Sequence, residues 1–318
     1  MHEVLPATAF DAENMEGIRT VDEVWLLGQP PLSDYLDFVR QWVIGGATAD
    51  RAALTDEWRA ANDYYHELEQ SEAGIADKVQ CRELDAELAS MAAEVMADPR
   101  YRHAFDTIPT SFGMVELDRL VIFQPHVTSQ QVQALKAQLG PAPDPAAVFR
   151  FCFPLGRYEP PVRIRQAGER RYLFTSASSD FRFHEGVVLR PEQVRDYGTF
   201  GSIGGILGLV VGFGPNFLSA VRSNNRLILH NGYHRAYALR ELGITHAPCI
   251  IETVTRRDEL DVVAKDDVCE NPAFYLKAAR PPLLKDFFDE KIRKVLRIEK
   301  SIRVIEVSYE VREFELPE

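Results

Sequence analysis

The sequence predicts an α+β fold, a mixed sheet with helices preceded by an all-α N-terminal unit, and three observations carry that reading. Up to about residue 104, apolar side chains recur at helical spacing within acidic, alanine-rich segments. Beyond Thr107, short β-branched and aromatic runs are punctuated by Gly and Pro. Strand and helix signals then alternate without an internal repeat, which favours packed layers over a barrel of repeated units.

The elements follow in order. "PLSDYLDFVRQWVI" (31 to 44) sets Leu32, Tyr35, Leu36, Val39, Trp42 and Val43 on one helical face, with Ser33 and Asp34 as caps. Asp50 to Ser71 and Arg82 to Met96 repeat the pattern, and Trp58, Tyr64 and Tyr65 read as core packing. Strand-like runs follow in "MVELDRLVIF", "AVFRFCF" and "EGVVLRPEQV", with a helix at 129 to 140 between the first two. Ser129 is its expected cap and Gly140 its stop. "RIRQAGERRYLFTSA" predicts a hairpin around Ala167 and Gly168, and "FLSAV" a short helical run capped by Asn216. After Glu252 the pattern returns to helix, "KIRKVLRIEK" (291 to 300) reads as a solvated helix face, and 301 to 317 reads as a terminal strand.

Composition narrows the function classes. The chain has 318 residues, 46% hydrophobic and 26% charged, enough for a substantial core. A formal net charge of -12 repels a phosphate polymer, and no basic patch or helix-turn-helix offsets it, so a nucleic acid partner is not expected. Cys81, Cys152, Cys249 and Cys269 lie far apart with no CxxC, which predicts neither a zinc knuckle nor a disulfide framework and fits a reducing cytoplasm. The N-terminus has no basic-then-apolar signal. The longest apolar run, 203 to 213, falls short of the roughly 18 residues of a membrane span, so no membrane partner is expected.

The most informative stretch is "RLILHNGYHRAYALRELGITHAPCIIE" (226 to 252). A strand ends at Asn231-Gly232, and a helix starts at once and runs to Gly243 before a further strand. The first amides of such a helix are unpaired and converge on one point, where the helix dipole adds about half a positive charge. Arg235 brings a planar guanidinium suited to phosphate oxygens, and His234 a hydrogen-bond donor or a proton exchanger. The alternative is a plain turn in which the His-Arg pair bonds nearby carboxylates.

"LHNGYHRAYALRELGITHAPCII" resembles the signature of the ParB and sulfiredoxin superfamily: a strand, a turn of the form Asp/Asn/Gly-Gly-x-His/Arg-Arg, then "A-L-x-x-x-G" and a short strand. "FGMVELDRLVIFQPHVTSQQVQALKAQLG" (112 to 140) is similar to the opening strand, corner and helix of that family. The resemblance divides the chain into a helical unit at 1 to 104, a ParB/sulfiredoxin-like domain at 105 to 275 with an insertion at about 145 to 200, and an extension at 276 to 318.

This resemblance implies a nucleotide site, ATP or CTP with magnesium. Its phosphate-contacting stretch would be Asn231, Gly232, Tyr233, His234 and Arg235, with Gln124 at the corner after the opening strand. Tyr233 stands where sulfiredoxin carries its reactive cysteine, so sulfinic acid repair is not expected. Glu270 and Asn271 match a Glu-Asn motif near the triphosphate and its metal, although Phe274 replaces the Arg that follows in the family, and Asn271 before Pro272 equally reads as a helix stop. The family's kinases have an acidic general base where this chain has Gln124, Pro125 and His126, which leaves His126, Glu116 or Asp118 to serve. His126 and His234 are therefore the candidate catalytic residues.

Two further points stay open in the sequence. The glycines of 197 to 216 form neither GxGxxG nor a P-loop, and serve either to cover a ligand or to allow close packing. The expected activity is phosphoryl transfer or hydrolysis by a nucleoside triphosphatase or small-molecule kinase. The alternative is a non-catalytic nucleotide sensor whose N-terminal helices contact a protein partner, with a DNA-binding or nuclease protein as the weakest reading.

Overall fold

The computed structural model describes residues 20–156, 160–178, 180–193, 201–264 and 266–316. The start of the N-terminal unit before Thr20 and the Tyr197 to Phe200 end of the glycine-rich segment lie outside the described residues.

The described chain begins as a strand, β1 (Thr20–Leu26), and this corrects the all-helical reading of residues 1 to 104. Its two faces serve two cores: Val24 and Leu26 enter the main core, while Trp25 and Leu27 enter a second one. A segment buried on both sides reads as a continuous apolar run, and "VWLL" is one. Helices α1 (Leu32–Trp42) and α2 (Arg51–Ser71) follow as expected. Asp50 caps α2, its Oδ1 accepting from Ala52 N at 2.9 Å, a contribution of about 1 kcal/mol. Tyr35, Val39 and Tyr65 fill the second core against β1, with Trp58 and Tyr64 packed at its edge.

Between Cys81 and Leu139 come β2 (Cys81–Glu83), α3 (Ala89–Ala97), α4 (Pro99–Ala104), β3 (Thr110–Glu116), β4 (His126–Thr128) and α5 (Ser129–Leu139). "AVFRFCF" is helix, not strand: α6 (Pro145–Cys152) starts on Asp144, whose Oδ1 accepts from Ala147 N at 2.7 Å, with Pro145 in the first turn. The cap and proline outweigh the strand propensity of Val148, Phe149 and Phe151.

β5 (Arg163–Gly168) and β6 (Arg171–Ser176) form the expected hairpin. A two-stranded ribbon follows, β7 (Phe181–Leu189) with β8 (Ile206–Phe213). The run expected as helix after Asn216 is a strand, β9 (Ser219–Ser223), drawn into extended form by pairing with its neighbours on both sides. β10 (Arg226–Asn231), α7 (Tyr233–Glu241) and β11 (His246–Val254) complete the strand, turn, helix, strand unit. The central sheet has the order β10-β9-β11-β3-β2, with β9 and β11 parallel and the other pairs antiparallel.

Short helices α8 (Arg257–Val263), α9 (Asp266–Glu270) and α10 (Pro272–Leu276) precede β12 (Arg293–Glu299) and β13 (Arg303–Ser308). β12 replaces the solvated helix expected at 291 to 300, because it pairs along the whole of β1 and buries Leu296 and Ile298. The resulting small sheet has the order β12-β1-β4. β13 joins β6, so the terminal strand expectation holds. The mixed α+β class stands, and among the described residues no helix is long and apolar enough to cross a membrane.

Candidate functional site

Gly232 makes the turn from β10 into α7 possible. It holds φ +95°, and a Cβ there would come within 2.6 Å of Leu218 Cδ1. As N-cap residue it offers no side-chain cap to α7. The first amide of the unit with a protein acceptor is that of Ala236, on Gly232 O at 2.9 Å. Among the described residues the amides of Tyr233, His234 and Arg235 have none. An uncapped helix start with converging amides is an anion cradle by its own dipoles.

The side chains of the corner divide sharply. Tyr233 is turned into the core, where its hydroxyl donates to Leu229 O at 2.9 Å and accepts from Phe123 N at 3.0 Å. Burial pushes its phenol well above the ordinary range. It fixes the opening corner against α7 and is not a phosphate-contacting side chain, which corrects the expectation. Gln124 is likewise engaged, donating from Nε2 to His126 O at 2.6 Å.

Arg235 is nearly buried. It is 6% exposed, and its Nη1 donates to Asn216 O at 2.5 Å and to Asn216 Oδ1 at 2.8 Å. Asn216 adopts φ +57°, so the residue expected to cap a helix instead presents two oxygens to the guanidinium. Among the described residues Nε and Nη2 have no protein acceptor. Burial lowers the proton affinity of Arg235, with only weak compensation from the Cys152 thiol and Asp180. A desolvated cation without a carboxylate contact is electrostatically incomplete.

His234 accepts a hydrogen bond at Nε2 from Thr128 N at 3.0 Å. The neutral ring must then carry its proton on Nδ1. Burial, His126 and Arg235 together push His234 down to about 4, against the opposing Glu23 charge. It is therefore a neutral donor at pH 7, and the expected exchange of a proton near neutrality does not fit this environment.

β4 sets His126 opposite Trp25 and Thr128 opposite Glu23 across β1. The His126 ring stacks on Trp25 with centroids 5.3 Å apart and 6° between planes. Its Nδ1 lies 3.1 Å from Glu23 Oε2, an ion-pair distance whose alignment falls short of a hydrogen bond, and this buried nitrogen has no other partner. The same oxygen accepts from Trp25 Nε1 at 3.1 Å. Burial would raise Glu23, but the His126 contact and charge outweigh it and hold the carboxyl below its ordinary value. Glu23 is the residue the sequence reading missed.

Glu270 and Asn271 are exposed at the junction of α9 and α10, where Asn271 O accepts from Phe274 N at 3.2 Å and Pro272 starts the next turn. They behave as a helix stop. Among the described residues no group of three or more His, Cys, Asp or Glu gathers to hold a metal. Two concavities lie away from the corner: one of about 170 Å³ lined by Glu87, Met91 and Asp144, and an open one of about 440 Å³ along Arg51, Thr55 and Arg59. Comparison with protein-family models, curated proteins and solved structures finds no match for this chain.

Proposed function

We propose that this protein binds a nucleoside triphosphate, ATP or CTP, with its phosphates at the start of α7, and uses it for phosphoryl transfer or hydrolysis. The observation that carries the reading is Arg235: a nearly buried guanidinium with no carboxylate contact, beside three helix amides without acceptors. A polyanion would complete both at once. Asn231 and His234, both partly exposed at this turn, offer further donors.

The order of elements supports a ParB/sulfiredoxin-like fold as the finer description: strand, corner and helix at 110 to 139, then strand, glycine turn, helix and strand at 226 to 254. Glu270 and Asn271 do not fit a magnesium site of their own, so no step is assigned to them. All four thiols are free, which supports a cytoplasmic setting.

A non-catalytic sensor is the second reading, favoured by the low basicity of His234 and the absence of an acidic residue at Gln124. Thermal-shift titration with ATP, ADP, CTP and GTP, with and without magnesium, tests the binding. A rise in Tm with at least one triphosphate is expected, and no response to any of them retires the proposal. Phosphate release or transfer to a hydroxyl acceptor then separates enzyme from sensor.

A further inference from the structure

Glu23 lies in β1, roughly a hundred residues before His126 in sequence, yet it is 7% exposed and faces His126 Nδ1 across the strand pair. An ionised carboxylate 3.1 Å from an imidazole nitrogen repels a lone pair there and attracts an N–H, so the proton of neutral His126 belongs on Nδ1. The Nε2 lone pair is then left over. That atom has no protein partner among the described residues and is not sealed from solvent. Stacking on Trp25 and Phe38 limits the ring's freedom.

We propose that Glu23 is a positioning residue: it holds His126 with the proton on Nδ1 and Nε2 free as general base toward a hydroxyl acceptor. This rests on the phosphoryl-transfer reading for its substrate. His126 Nε2 takes the hydroxyl proton as the acceptor oxygen forms a bond to the terminal phosphorus. The bond from that phosphorus to its bridging oxygen breaks, and the nucleoside diphosphate leaves with the electron pair. Glu23 then faces an imidazolium. Among the described residues His234 of α7 also acts on Glu23 and His126, and it is neutral at pH 7.

His234 offers no such base, because Thr128 N occupies its Nε2. The two histidines therefore share one tautomer and differ in which nitrogen is free. Water and an alcohol are both hydroxyl acceptors, and product analysis distinguishes them: inorganic phosphate for the first, a phosphomonoester for the second.

The test is nitrogen-resolved NMR of the imidazoles with the full chain, paired with kinetics. The wild type is expected to show neutral His126 protonated on Nδ1, and a dominant Nε2–H form overturns the proposal without any variant. Glu23→Ala should release His126 into a mixture of tautomers, and Glu23→Gln, which keeps an acceptor, should retain the Nδ1–H form. Should the nucleotide turn over, Glu23→Ala should lower kcat roughly 10- to 100-fold with KM within twofold, as expected for loss of an oriented base. Unchanged tautomers and unchanged kcat in Glu23→Ala overturn the assignment. Failure of every nucleotide to bind removes the phosphoryl-transfer reading, and the NMR result still decides what Glu23 does to His126.

Discussion

Arg280 and Arg235 are both buried, at 1% and 6% exposure, and they are buried in opposite ways. Arg280 meets Asp286 with two prongs, Nη1 to Oδ2 at 2.5 Å and Nη2 to Oδ1 at 2.6 Å, and also reaches Glu72 and the Tyr65 hydroxyl. Burial disfavours its charge, but those contacts outweigh the penalty and hold it above the ordinary arginine range. Among the described residues Arg235 hydrogen-bonds only to the two oxygens of Asn216, and burial lowers it. The first cation is a finished structural tie between α2 and the chain before β12. Among the described residues the second has no carboxylate in contact, and it sits beside an uncapped helix. A buried ion without its partner marks where something else belongs.

Substitutions sharpen this contrast, and the largest effect belongs to the finished pair. Asp286→Ala removes the two-pronged partner of the buried Arg280, leaving it Glu72 and Tyr65, and is expected to cost about 3 to 5 kcal/mol, read from chemical denaturation. At the corner, Gly232→Ala forces a side chain into a left-handed position against Leu218, with an expected loss of about 2 to 4 kcal/mol. If Gly232→Ala leaves stability unchanged, the tight turn described here is wrong.

The pH response should carry the mark of His234. Its folded value is depressed to about 4, below the unfolded value of about 6.5, so the unfolded chain binds the proton more tightly. The contribution is fully present above about pH 6.5 and is lost as pH falls toward 4. Allowing for partial solvent exposure of the ring, about 2 kcal/mol should disappear over that window. His234→Gln should flatten that limb, and an unaltered pH profile would contradict the burial and bonding assigned to the ring.

The smallest change in stability is expected for Arg235→Met. Removing a desolvated cation with no carboxylate contact should alter stability by less than about 1 kcal/mol, in contrast to Asp286→Ala. Nucleotide affinity should nevertheless fall at least about tenfold, since charge-assisted phosphate contacts are worth about 1.5 to 3 kcal/mol each. A strongly destabilised Arg235→Met protein with normal affinity would make Arg235 a second structural tie.

Local signals and long-range contacts explain what could be read beforehand. Helices α1 and α2, the β5–β6 hairpin and the unit from β10 to β11 follow from spacing, caps and glycines that neighbours in sequence decide. β12 was misread because its charges look solvated until β1 covers Leu296 and Ile298. β9 was misread because pairing on both sides, not propensity, sets its conformation. In the site, Gly232, His234 and Arg235 were legible as a corner, but not the engagement of Arg235 by Asn216 or of His234 by Thr128. Glu23 was invisible because only the distant pairing of β1 with β4 brings it to His126. The doubly apolar "VWLL" run was the available signal that β1 is an interior strand.

The start of α7 can be interrogated directly by following the backbone amides of Tyr233, His234 and Arg235 in ¹H–¹⁵N spectra while ATP or CTP is added with magnesium. An anion seated there should shift all three amides together, saturably, and the shifts should vanish in Arg235→Met. Binding that moves amides elsewhere and leaves these three unchanged would contradict the corner as the phosphate site.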